Sequence, residues 1–129
     1  MKRLAALAGS LLLALTISSC GAATGPVGTW GDGYNTDKKP YLELALAADQ
    51  DPSFEKAGFI NGSDGCNRLS GQWFLTEGEL TFQNLGGTLM ACKGVDTWLS
   101  KAAGGHLDGD VLTVTDAAGA ALGTLDRRN

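Results

Sequence analysis

Histidine is almost missing from this chain of 129 residues, where His106 stands alone. That excludes metal sites built on several imidazoles and leaves a hydrolytic triad with one candidate base. No Gly-x-Ser-x-Gly elbow accompanies it, so the strained nucleophile turn of such enzymes is missing as well. His106 reads as a solvent-facing strand residue. Positive charge is also scarce, with ten Lys and Arg against fourteen Asp and Glu. No basic stripe or basic patch interleaved with aromatics appears, which excludes nucleic acid as a partner. Asp108 and Asp110 flank a glycine. The alternating ligands and terminal glutamate of a calcium loop do not follow, so the pair reads as a turn and no metal or other cofactor is expected. With three cysteines, a disulfide-dense scaffold is ruled out and one internal bridge is the most the domain can hold beside Cys20.

The one long apolar stretch opens the chain. Met1-Lys2-Arg3 is basic, and residues 4–17 are apolar apart from Gly9, Ser10 and Thr16. A spanning helix needs ~20 apolar residues, so this run reads as the hydrophobic part of a signal peptide. It ends in Ile17-Ser18-Ser19-Cys20, which looks like a bacterial lipobox. Residues 1–19 are therefore expected to be cleaved, leaving Cys20 as the first residue and the site of lipidation. Palmitate-type chains there would hold the protein on the extracytoplasmic face of the cell membrane, at ~0.8 kcal/mol per buried methylene. Residues 20–26 read as a tether and 27–129 as one domain. Losing Lys2 and Arg3 leaves eight basic residues against fourteen acidic, a net charge of −6.

Strand-like segments dominate that domain. Leu42, Leu44 and Leu46 fall on one face at period two. Glu77-Gly78 reads as a two-residue hairpin loop, and Asp116-Ala117-Ala118-Gly119 as a longer one. Val95, Trp98, Leu99 and Ala102 follow i, i+3, i+4, i+7 spacing, which predicts a short helix ended by Gly104-Gly105. The expected fold is α+β: a curled, barrel-like antiparallel β-sheet with one short packed helix. Trp30, Trp73 and Trp98 are candidate core residues. The glycine-rich stretch around Gly65-Cys66-Asn67-Arg68 reads as a tight turn between strands. In an oxidising compartment Cys66 and Cys92 would most simply form one bridge, the competing reading being two buried thiols packed as small hydrophobes. Asp64, Asn67 and Arg68 form a candidate binding loop. Their bland alternative is Asn67 capping the turn while Arg68 meets an acidic neighbour.

These segments also carry a resemblance. Gly65-Cys66-Asn67, Gly71, Trp73-Phe74 and Thr88-x-Met90-Ala91-Cys92 resemble the META domain (HslJ-like) family, in its bacterial lipoprotein form. Gly28-Thr29-Trp30 and Gly109-Asp110-x-Leu112-Thr113 are similar to that family's ends. The resemblance covers about residues 27–125. It implies a barrel-like fold, a secreted or lipid-anchored envelope protein and a connection with stress and antibiotic tolerance, with no established catalytic residue. The expectation is a monomeric, non-enzymatic envelope lipoprotein that binds an envelope protein or a small ligand. The rival expectations are an inhibitor of a secreted hydrolase, whose rigid loop would be residues 62–71, and a small carrier of hydrophobic ligands. A hundred residues read as too few for a full eight-stranded calyx.

Overall fold

A computed structural model describes residues 25–33 and 38–128. The expected signal peptide, Cys20 and most of the tether lie outside the described residues. Eight antiparallel strands follow one another around a closed barrel. They are β1 (Gly28–Trp30), β2 (Tyr41–Leu46), β3 (Lys56–Ser63), β4 (Arg68–Thr76), β5 (Glu79–Gly87), β6 (Gly104–Asp108), β7 (Val111–Thr115) and β8 (Ala121–Arg128). Closure comes from Thr29 and Trp30 of β1 pairing with Arg128 and Arg127 of β8. Eight strands fit in so short a chain because β1 needs only three residues, but side chains fill the interior, so the barrel is not a hollow calyx.

Alternation builds the interior. Leu42 and Leu44, Trp73 and Leu75, Leu80 and Phe82, and Leu112 and Val114 point inward and join Trp30, Ile60 and Leu125 in one cluster. Eight strands enclose a space that side chains can fill, and two fully buried tryptophans help fill this one. Leu46 shares the face of Leu42 and Leu44 but is half exposed at the strand end, below the closed interior.

The α+β expectation needs correcting. Where the helix was expected the chain forms a 3-10 turn, Trp98–Lys101. The apolar stripe exists, but four residues are too few to hold an α-helix in water, and Gly104-Gly105 begins β6 instead of ending a helix. The turn still does the packing expected of it. Leu99 is fully buried in the core, and Trp98 lies against β8 at Gly123, where a Cβ would sit 2.8 Å from the indole.

Because neighbouring strands alternate in direction, the connections fall on two rims. The lower rim carries residues 25–27, 47–55, 77–78 and 109–110; the upper rim carries 31–40, 64–67, 88–103 and 116–120. Glu77 and Gly78 take φ of 51° and 81°, forming the tight hairpin expected on the lower rim. Arg127 fixes the incoming chain there. Its guanidinium donates to the carbonyls of Gly25 (2.7 Å) and Val27 (3.1 Å), pairs with Asp110 at 3.0 Å, and stacks 4.2 Å from the Trp30 ring centre. Its side chain is 5% exposed while Asp110 is 76% exposed, so water screens the ion pair and the clamp rests on the carbonyl bonds and the ring contact. Arg127→Ala should therefore lower stability by about 2–3 kcal/mol, the range for charge-assisted hydrogen bonds. Urea unfolding checks this, and a loss under about 0.5 kcal/mol would mean the clamp carries no energy.

Candidate functional site

The upper rim is built around the four-residue connection Asp64-Gly65-Cys66-Asn67 between β3 and β4. Asp64 is fully buried and closes the turn on itself. Its Oδ1 accepts hydrogen bonds from the backbone N–H of Cys66 (2.9 Å) and of Asn67 (2.5 Å), and its own N–H donates to the Asn67 carbonyl at 3.1 Å. This is the local side-chain-to-backbone pattern that aspartate favours in turns. Oδ2 has no hydrogen-bond partner among the described residues. Gly65 takes φ +99°, and a Cβ there would meet the Lys38 carbonyl at 2.9 Å and Val95 at 3.1 Å. Only glycine fits both demands without strain.

Asn67 reaches across to a different segment. Its Oδ1 accepts from the Met90 N–H at 2.5 Å and from the Thr88 hydroxyl at 3.0 Å. Its Nδ2 donates to the Met90 carbonyl at 3.2 Å. The Thr88 hydroxyl in turn accepts from the Arg68 N–H at 3.1 Å, and the Thr88 N–H donates to the Arg68 carbonyl at 3.3 Å. Two residues beyond Met90, Cys92 is bonded to Cys66 with Cα atoms 5.8 Å apart. Residues 88–92 run with neither turn nor bend, held at Thr88, Met90 and Cys92.

That held segment projects from the barrel. β5 pairs with β4 as far as Gly87 but with β6 only over residues 79–81, so its end overhangs the wall and carries the chain outward. Leu89 is 99% exposed and Met90 57% exposed. Arg68 and Lys93 are exposed beside them. Among the described residues Arg68 makes no ion pair; the salt bridges described belong to Arg127 and Arg128.

The three candidate binding residues are thus brought to one rim with different placements. Asp64 and Asn67 are buried and bond within the protein through Asp64 Oδ1 and both polar atoms of the Asn67 amide, while Arg68 faces solvent. Asp64, not Asn67, caps the turn. Sequence reasoning names Met90 only within the family motif and gives neither Leu89 nor Met90 a binding role. Two adjacent apolar residues between Gly86-Gly87 and Cys92, in neither a strand nor a helix pattern, were the signal available. His106 is exposed on β6, away from this rim. A shallow cleft of about 160 Å3 lies between Gly31, Lys39, Pro40 and β8; its Asp32 pairs with Arg128. No cluster of His, Cys, Asp and Glu suited to a metal occurs among the described residues.

No curated protein and no solved structure gives a significant match to the chain. The family model of the META domain matches residues 28–129, from the first strand of the barrel through the last. The chain belongs to the META domain family.

Proposed function

We propose that the protein is a non-enzymatic binding protein of the cell envelope, tethered through lipidated Cys20 and meeting its partner with the upper rim. The observation that carries this reading is the pinned segment 88–92, which holds Leu89 and Met90 in water at a cost in apolar exposure. The tether would enter at the lower rim, where Arg127 grips Gly25 and Val27, so the upper rim would be free to face outward. A part in envelope stress tolerance agrees with this placement. The carrier reading has less support, because the barrel interior is occupied by its own side chains.

Photocrosslinking in intact envelopes tests the reading. A crosslinking amino acid at position 89 should capture a discrete partner, and one at Asp49 on the lower rim should not. Equal labelling from both positions, or none from 89, would contradict it. The anchor has its own test: Cys20→Ser should release the protein from membranes or leave it unprocessed. A variant that stays processed and membrane-bound would remove the lipid anchor from the account.

A further inference from the structure

We propose that residues 88–92 form a substrate-like inhibitory loop, with Leu89 entering the apolar primary pocket of a serine endopeptidase. The proposal rests on the upper rim being the face that meets a partner, and it names the class of that partner. A convex, nearly fully exposed leucine calls for a concave apolar receptor. Among the described residues Leu89 also makes no hydrogen bond, so its N–H and C=O are free to pair with an extended-peptide cleft. Its neighbours are fixed on both sides, so little conformational entropy remains to be lost on docking.

The geometry also indicates why such a loop would survive the enzyme. Attack by the serine hydroxyl on the Leu89 carbonyl carbon would form an ester and break the amide between Leu89 and Met90. The hydroxyl proton would pass through the enzyme's base to the Met90 nitrogen. That nitrogen is the atom bound by Asn67 Oδ1, while Nδ2 of the same side chain binds the Met90 carbonyl. Cys92 is tied to Cys66 immediately downstream. The freed amine would stay beside the ester at high effective concentration, and its return attack would rebuild the amide and give the proton back. Hydrolysis by water loses that competition.

An apolar tip beside Arg68 and Lys93 would also suit an anionic bilayer. The tether argues for the protein partner. Four residues lie between Cys20 and Gly25, so those two are at most about 18 Å apart, and Gly25 lies on the rim opposite the loop. This keeps the lower rim nearest the anchoring membrane.

The test uses the purified protein against chymotrypsin, whose pocket takes large apolar side chains, and trypsin, whose pocket takes Lys and Arg. Sub-micromolar inhibition of chymotrypsin, at least 100-fold weaker against trypsin, is expected. Leu89→Asp should weaken chymotrypsin inhibition at least 100-fold, and Leu89→Lys should transfer inhibition to trypsin. Asn67→Ala, with the bridge verified by thiol alkylation, should become a substrate cut between Leu89 and Met90. No inhibition of chymotrypsin at 10-fold molar excess, or rapid cutting of the native loop at that bond, overturns the proposal. So does binding to vesicles of anionic phospholipid that Leu89→Asp abolishes. If position 89 still crosslinks a partner while chymotrypsin is unaffected, the endopeptidase assignment falls and the upper-rim binding reading stands.

Discussion

Replacing Cys66 and Cys92 together by alanine should cost about 3.5 kcal/mol, the chain-entropy value for a loop of the 26 residues that separate them. The bridge joins the β3–β4 connection to the long link between β5 and β6, both on the upper rim. Without it the unfolded chain gains the freedom of that loop, and the folded chain loses the downstream anchor of residues 88–92. Urea unfolding of the variant measures the cost. The barrel itself should persist, because its ladder closes through β1 and β8 without the bridge. A variant within 0.5 kcal/mol of the native protein would mean that the bridge closes a loop already ordered in the unfolded state.

Leu99→Ala should destabilise by about 2–5 kcal/mol, the range for a buried leucine whose cavity relaxes only in part. Leu99 is fully buried, and its 3-10 turn is fastened by the Ser100 N–H to the Thr97 carbonyl and the Ala102 N–H to the Leu99 carbonyl, both at 3.1 Å. The control is Leu89→Ala, ten residues earlier, which should change stability by less than about 0.5 kcal/mol because its side chain is already in water. The same substitution at two leucines thus separates a core position from a displayed one. Chemical denaturation of both variants decides it, and equal losses would contradict the placement of Leu89.

Much of the barrel was legible because its signals are local. Glu77-Gly78 supplies the positive φ of a tight hairpin, and Leu42 and Leu44 alternate with Glu43 as a half-buried strand must. The motifs around the two cysteines carried the family. Closure was not legible, since it depends on Trp30 meeting Arg127 near the far end of the chain. The helix expectation failed on length. Val95, Trp98, Leu99 and Ala102 have helical spacing, but the segment spans a barrel mouth where one 3-10 turn brings Leu99 into the core.

The candidate site divided in the same way. Asp64 acts within its own turn, so sequence reasoning could place it in the right loop. Asn67 bonds to Met90, 23 residues away, and no spacing rule connects those positions. The exposure of Leu89 follows from β5 outrunning β6, a property of strand pairing. A leucine and a methionine in a small domain read as core until that overhang is seen.

The central claim is that a buried asparagine and a disulfide hold an exposed loop in one conformation. Amide hydrogen exchange at Met90 tests it most directly, since that N–H donates to Asn67 Oδ1 and protection reports the opening of that bond. The account predicts slow exchange at Met90 in the native protein, beside rapid exchange at Leu89, and loss of the Met90 protection in Asn67→Ala with the core amides unchanged. Rapid exchange at Met90 in the native protein, at the rate of an unstructured peptide, would contradict it.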